Sequence, residues 1–181
     1  MLYIITALKS EAQAYVERYR LQRSKEGEYI TFRGEGVLVL VSGLGVYKMR
    51  LATQFLLDSY DVDESDIFLN IGICGASKNY KIGELVKVAT VIYRGRSYTF
   101  EEEGEQLQCV ESEIDEELYE LVDMESYGFY DALIHNRAVK RFYIFKVVSD
   151  HFEPKSVTKD ATKKLLFNTI DAINKIIDFR R

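Results

Sequence analysis

The sequence predicts an α/β sandwich built on a largely parallel or mixed sheet. Short apolar runs alternate along the chain with amphipathic segments of helical period. The apolar runs carry few polar positions, which suits strands that are buried on both faces. The length of 181 residues, with 47% hydrophobic and 29% charged residues, is typical of a globular protein, and we expect one domain over residues 1–181.

The chain opens with a predicted buried strand at residues 2–7, a run of Leu, Tyr, Ile, Ile, Thr and Ala. A helix is expected to start near residue 11, because Ser10 and Gln13 have the spacing of a capping box and apolar residues recur with helical period after them. The next segments are a hairpin at 28–32 and 37–42, a break at 43–45, an amphipathic helix through 49–56, a buried strand at 67–71, a glycine turn at 72–76 and a long strand at 85–93.

The second half begins with a polar, acidic stretch at residues 94–106, for which we predict a hairpin or loop. Later segments are two short strands at 107–111 and 119–122, a helix capped by Asp123 and carrying Met124, a central strand at 142–148 that ends at Ser149 and Asp150, and a last helix at 159–179.

Charge and composition exclude several classes of protein. The formal charge of −5 comes without a basic block that could follow a phosphate backbone, so we expect no nucleic-acid partner. No apolar stretch is long enough to span a membrane, and the N-terminus lacks the features of a signal peptide, so we expect a cytoplasmic protein.

Two cysteines and two histidines lie too far apart in sequence for the usual spacing of a structural metal site, and no metal ligands are predicted. The 13 tyrosines and 10 phenylalanines favour large subunit contacts, so we expect a homodimer or a larger homo-oligomer.

Polar residues that directly follow apolar strands are the first candidates for a site, because ligands bind outside the carboxyl ends of the strands in such sheets. Glu11, residues 70–76, Glu125 and Asp150 meet this criterion. Each also has a structural interpretation: Glu11 and Glu125 could complement helix dipoles, and Asp150 could be a solvated turn residue. The glycines at 43 and 45 match neither a dinucleotide fingerprint nor a phosphate loop, which argues against a flavodoxin-like nucleotide or redox domain.

Taken in order, several segments together resemble the landmarks of the nucleoside phosphorylase and nucleosidase superfamily. The opening segment is most similar to that of methylthioadenosine/S-adenosylhomocysteine nucleosidases. The segments that carry the resemblance are Ala-Leu-Lys-Ser-Glu at 7–11, Val-Ser-Gly-Leu-Gly at 41–45, Asn-Ile-Gly-Ile-Cys-Gly-Ala at 70–76, Val-Asp-Met-Glu at 122–125 and Val-Ser-Asp at 148–150.

The resemblance implies a three-layer α/β/α sandwich around a central mixed sheet, with no cofactor, that cleaves the N-glycosidic bond of a purine nucleoside. By analogy, Met124 and Glu125 would hold the ribose. Asp150 would protonate or hydrogen-bond N7 of the leaving base, with Ser149 steadying it. Glu11 would orient and deprotonate the attacking water. As this bond breaks, negative charge develops on the purine base and positive charge on the sugar. A proton donor next to the purine and an anion near the sugar would stabilise these charges.

The resemblance favours water over phosphate as the nucleophile. By this resemblance, a phosphorylase site would have an arginine and a serine at the positions where this chain has Asn70 and Ile73. In addition, the carboxylate of Glu11 would repel a phosphate dianion placed beside it. Ile73 and Gly75 of the glycine segment are assigned to substrate binding. The region at 94–120 is shorter than the resemblance implies, which leaves Glu113 and Ile114 to meet the base edge. Phosphorolysis, and a degenerate nucleoside-binding module without turnover, stay as alternatives.

Overall fold

A computed structural model describes residues 1–179. Within this range no helix is both long and apolar enough to cross a membrane. The ten strands are β1 (Leu2–Thr6), β2 (Gln22–Glu26), β3 (Tyr29–Gly34), β4 (Val37–Val41), β5 (Ile67–Ala76), β6 (Leu85–Tyr93), β7 (Arg96–Thr99), β8 (Glu105–Cys109), β9 (Leu121–Asp123) and β10 (Arg141–Asp150). The helices are α1 (Lys9–Tyr19), α2 (Val46–Ser59), α3 (Ser126–Leu133) and α4 (Lys159–Ile176), with a short 3-10 turn at Pro154–Ser156.

The fold is a three-layer α/β/α sandwich, as predicted. Side chains of a strand alternate between the two faces of a sheet, and β1 shows this clearly. Leu2 and Ile4 join the core that contains α1 and α4, whereas Tyr3 and Ile5 join the core that contains α2 and α3. The sheet is therefore buried on both faces, which explains why its central strands are almost wholly apolar.

The central sheet is mixed, and part of it closes into a ring. β1 pairs in parallel with β4 and β5, and β5 pairs in parallel with β10. From β10 the pairing continues through β6, β8 and β9 and returns to β5. β3 and β2 extend the other end of the sheet, and β7 pairs with β6.

One edge of β5 changes partner partway along its length. β1 pairs with this strand as far as Asn70, and β9 pairs with it at Gly75 and Ala76. Between these positions the backbone N–H of Ile73 donates to the carboxylate of Glu11, which follows β1. The sheet therefore forks at the carboxyl ends of β1 and β5, and polar side chains that follow the strands converge there.

Several predicted boundaries were wrong. The segment at 72–76 is not a turn but the continuation of β5, because its glycines pair with neighbouring strands. Ser10 and Gln13 form no capping box: α1 starts at Lys9, and Glu11 caps its first turn by accepting the N–H of Leu8. Asp123 ends β9, and α3 starts at Ser126, so Met124 precedes that helix.

The structure also contains a strand that the sequence did not predict. β2 has the sequence Gln-Arg-Ser-Lys-Glu and, among the strands of residues 1–179, pairs only with β3, at an outer edge of the sheet. An edge strand needs no apolar pattern, so hydrophobic periodicity could not reveal it. The strands predicted at 107–111 and 119–122 occupy 105–109 and 121–123, the strand predicted at 142–148 extends over 141–150, and the last helix ends at Ile176.

Candidate active site

A cavity of about 330 Å³ opens at the fork of the sheet. All nine residues that the sequence assigned to a site line it: Glu11, Ile73, Gly75, Glu113, Ile114, Met124, Glu125, Ser149 and Asp150. They come from five separate parts of the chain, and the fold brings them around one space.

Glu11 is a buried carboxylate that three backbone N–H groups hold in place. Its Oε2 accepts from Ala7 at 3.0 Å and Leu8 at 2.8 Å, and its Oε1 accepts from Ile73 at 3.0 Å. Burial raises the pKa of Glu11, and these donors oppose the rise because they favour the ionised form. A Cβ at Gly72 would stand 2.8 Å from Oε1, so the carboxylate fits only against a glycine.

Glu125 lies between the end of β9 and the start of α3, on the opposite side of the fork. Its Oε1 accepts the backbone N–H of Gly45, at the N-terminus of α2, at 2.8 Å. The pKa of Glu125 is raised to about 7, mainly by burial and also by the charge of the neighbouring Asp123. A Cβ at Gly128 would stand 2.1 Å from the carbonyl oxygen of Val46, so only a glycine lets α3 lie this close to α2. This close approach holds Glu125 next to the N–H of Gly45.

Lys146 is a cation buried behind the carboxylates. It lies in the middle of β10, its side chain is 1% exposed, and its Nζ is 2.8 Å from Oδ2 of Asp123. Burial lowers its pKa, but the charges of Asp123, Glu125 and Glu11 outweigh burial and raise it overall. The ammonium therefore stays charged and lowers the pKa of both Glu11 and Glu125 by its charge.

Asp150 is held at the end of β10 in a hydrogen-bonded turn. Its Oδ2 accepts from the hydroxyl of Ser149 at 2.6 Å, and its Oδ1 accepts the backbone N–H of Glu153 at 2.8 Å. Its side chain is mostly buried but borders the cavity. Gly75 lies nearby, and a Cβ there would press on Val122 at 3.1 Å but stand at an ordinary contact distance of 3.8 Å from Oδ1 of Asp150.

The rest of the lining is mostly apolar. Ile73 and Met124 flank the carboxylates, and Val110, Glu113 and Ile114 form a wall between β8 and β9. A cavity with apolar walls and a few convergent polar groups is typical of a small-molecule site.

Two parts of the site were missing from the sequence-based prediction. Lys146 is the one charged residue in the apolar run at 142–148, and this was a signal that could have identified it. The wall formed by residues 154–162 lies beyond the last predicted strand. Pro154, Val157, Thr158, Lys159 and Thr162 come to the cavity because the chain turns back into α4 after Asp150.

The arrangement has the groups needed for acid–base chemistry on a small molecule. Glu11 and Asp150 both border the cavity but have different surroundings: backbone donors hold the first, and a serine and a turn amide hold the second. Two carboxyl groups with unlike environments can take opposite roles in proton transfer.

Comparisons with known structures give the same fold. A 5'-methylthioadenosine/S-adenosylhomocysteine nucleosidase from Neisseria meningitidis, in complex with methylthio-immucillin-A, superposes with a TM-score of 0.76 at 16% identity, over 97% of both chains. A 5'-methylthioadenosine nucleosidase from Arabidopsis thaliana has a TM-score of 0.72 at 15% identity, over 99% of this chain and 96% of its own. Futalosine hydrolase of Helicobacter pylori has a TM-score of 0.72 at 13% identity, over 94% and 97% respectively.

At these identities the structural likeness shows the fold alone. A search of curated protein sequences finds no match. The sequence model of the phosphorylase superfamily, however, matches residues 2–124, which include Glu11, the glycine segment and the end of β9. Because this match spans more than half of the chain, the chain belongs to the phosphorylase superfamily.

Proposed function

We propose that the protein hydrolyses the N-glycosidic bond of a purine nucleoside. The observation that carries this proposal is the convergence of three carboxyl groups, from Glu11, Glu125 and Asp150, on one cavity at the carboxyl ends of the strands. The structural likeness to nucleosidases that act on 5'-methylthioadenosine supports the same reaction class.

The proposed roles follow from the charges that develop as the bond breaks. The sugar becomes positive and the departing base becomes negative. Glu125 would accept hydrogen bonds from the ribose hydroxyls, with Met124 packing against the sugar. Asp150, steadied by Ser149, would share or donate a proton to N7 of the base. General acid catalysis of this kind contributes about 100- to 10,000-fold to a rate.

Glu11 would orient the attacking water and take its proton. Its carboxylate is fixed on two sides by the N–H groups of Leu8 and Ile73, so a water bound to it would have a defined position. Ile73 stands where the phosphorylases are expected to have a serine, and its backbone N–H donates to Oε1 of Glu11. The backbone N–H of Ile73 thus holds the carboxylate of Glu11, the proposed general base, without a serine hydroxyl.

The charge of the cavity favours water over phosphate. Its lining in residues 1–179 includes the carboxyl groups of Glu11, Glu113, Asp123, Glu125 and Asp150 and no arginine. A phosphate dianion at the sugar would lie among these carboxylates without a guanidinium to bind it.

The test is base release from a panel of purine nucleosides, followed by chromatography with and without phosphate. We expect free base and free sugar at a rate that phosphate does not change, and a loss of about 100-fold or more in Asp150→Asn. Glu116→Gln, which removes an exposed carboxylate outside the cavity lining, is the matched control and should keep full activity. Release that requires phosphate and yields a sugar 1-phosphate would select phosphorolysis. Binding without any release would select a nucleoside-binding module.

We also propose that the protein forms a homo-oligomer through the N-terminal part of α2. Tyr47 and Leu51 of α2, and Leu44 just before it, are 68%, 42% and 47% exposed. Leu44 also lines the cavity, so a second subunit on this face would narrow its mouth. Tyr47→Asp should lower the mass measured by sedimentation, whereas Ile176→Asp, an exposed apolar residue at the end of α4, should not. A wild-type protein that stays monomeric at high concentration would refute the proposed homo-oligomer.

A further inference from the structure

The cavity contains one feature that the proposed reaction does not use. Lys159 is the only basic side chain on its lining within the described part of the chain, and the other charged side chains there are carboxyl groups. We propose that Lys159 selects nucleosides whose sugar carries an anionic substituent, a carboxylate or a phosphate, at the position remote from the base. This inference rests on the proposed function, because it assumes that a nucleoside occupies the cavity.

Lys159 has no competing role within residues 1–179. Its side chain is exposed and forms no hydrogen bond or ion pair with a described residue, whereas Lys163, one turn later in α4, pairs with Glu17. Lys159 is also the first residue of α4, where a cation is repelled by the helix dipole. Helix stability therefore does not account for a lysine at this position.

With Glu11 assigned to the water that attacks the sugar, Lys159 lies on the sugar side of the cavity. α4 packs against α1 in the same helical layer, and the first turns of these two helices form one wall. Glu11 comes from α1 and Lys159 comes from α4. A substituent that extends from the sugar along this wall reaches Lys159, with Pro154 and Val157 beside it.

The charge distribution of the cavity determines where on the ligand an anionic group can bind. The buried carboxylates Glu11, Asp123 and Glu125 have their compensating charge in Lys146, behind the cavity. An anionic group on the ligand would be repelled next to them and attracted only where Lys159 lies. A neutral substituent gains nothing from this lysine, so the two ligand types should differ in affinity.

The experiment uses a matched pair of ligands that cannot be cleaved. A C-nucleoside with a 5′-carboxyalkylthio group and its uncharged methyl ester are titrated into the full-length protein by calorimetry, with the 5′-phosphate C-nucleoside as a third ligand. We expect the acid to bind about two- to fivefold more tightly than its ester, which is the range for one exposed ion pair. The third ligand shows which anion is preferred.

The preference should disappear in Lys159→Met and persist in Lys159→Arg. Lys155→Met, which removes an exposed lysine of the 3-10 turn that is absent from the cavity lining, is the matched control and should keep the preference. Equal affinity of the wild-type protein for acid and ester, or a preference unchanged in Lys159→Met, would overturn the inference. So would tight binding of inorganic phosphate alone that Lys159→Met removes, since Lys159 would then hold a free anion.

The inference and the proposed function can fail separately. Since the ligands resist cleavage, discrimination between acid and ester is measured whether or not the protein turns over a nucleoside. Discrimination without base release from any natural nucleoside would refute the proposed hydrolysis and leave the role of Lys159 intact. Base release together with equal affinity for both ligands would support the proposed hydrolysis and refute the role of Lys159.

Discussion

Lys146 and Asp123 form a buried ion pair of 2.8 Å between two strands of the closed ring, and the two carboxylates on either side of the fork share this cation. The side chains of the pair are 1% and 0% exposed. Asp123 also accepts the N–H groups of Glu125 and Ser126, so the pair fixes the segment that leads from β9 into α3.

Lys146→Met should destabilise the fold strongly, because it leaves Asp123 buried without a counter-charge. Breaking one side of a buried ion pair costs about 3 to 5 kcal/mol. Urea denaturation followed by circular dichroism measures this loss. Lys146→Met combined with Asp123→Asn should recover part of the stability, since the unpaired charge is gone. A loss below about 1 kcal/mol in the single variant would show that the pair is not the compensating element we describe.

Glu125 should make the protein less stable at higher pH. In the unfolded chain its carboxyl ionises near its ordinary pKa of 4.5, whereas in the folded protein burial raises the pKa to about 7. Between these values the folded state keeps a proton that the unfolded state has lost. The stabilisation is present below pH 4.5 and is lost as the pH rises through about 7.

The variant Glu125→Gln should therefore lose less stability than the wild type between pH 5 and pH 8, by about 3 kcal/mol in the free energy of unfolding. The pKa of Glu11 is also raised by burial, so some decline should persist in the variant. Glu116→Gln controls for the loss of any carboxylate. Identical pH profiles for Glu125→Gln and wild type would contradict the raised pKa.

Gly72→Ala should impair activity while leaving the fold in place. The added Cβ would meet Oε1 of Glu11 at 2.8 Å, and the carboxylate would have to move away from the N–H of Ile73. A displacement of about 1 Å at a catalytic group can cost about 100-fold in rate, so we expect a loss of that order in kcat. Activity equal to wild type, with an unchanged melting temperature, would show that the position of Glu11 is not critical.

Gly128→Ala should separate α3 from α2. A Cβ would stand 2.1 Å from the carbonyl oxygen of Val46, and backbone cannot rotate away as a side chain can. Overpacking of this kind costs about 1 to 3 kcal/mol, and the hydrogen bond from Gly45 to Glu125 should lengthen as the helices part. Thermal denaturation measures the first effect, and nucleoside affinity measures the second. Unchanged values in both assays would refute this contact as a determinant of the site.

Much of the site was predictable because of where its residues stand in sequence. Glu11, Glu125 and Asp150 each follow an apolar strand, and the carboxyl ends of strands meet in this class of sheet. Their shared cavity followed from that rule. The hydrogen bonds of Glu11 did not, because they depend on where β1 stops and β5 continues, and hydrophobic periodicity does not define strand ends to within a residue.

Other features were hidden for different physical reasons. The glycines of β5 favoured a turn, but neighbouring strands supply pairing that overrides this local preference. β2 carries no apolar pattern at all. Lys159 looks like an ordinary surface lysine in sequence, and only the return of the chain after Asp150 brings it to the cavity.

The closed ring of strands has a consequence for the order in which the molecule opens. β5 and β10 each have neighbours on both sides, whereas β2 has one partner. Amide protons of the ring strands can exchange with solvent only when several strands separate together, so their deuterium uptake should track global unfolding, while β2 should exchange by local fraying. The framework beneath the cavity would then be the last part of the protein to loosen.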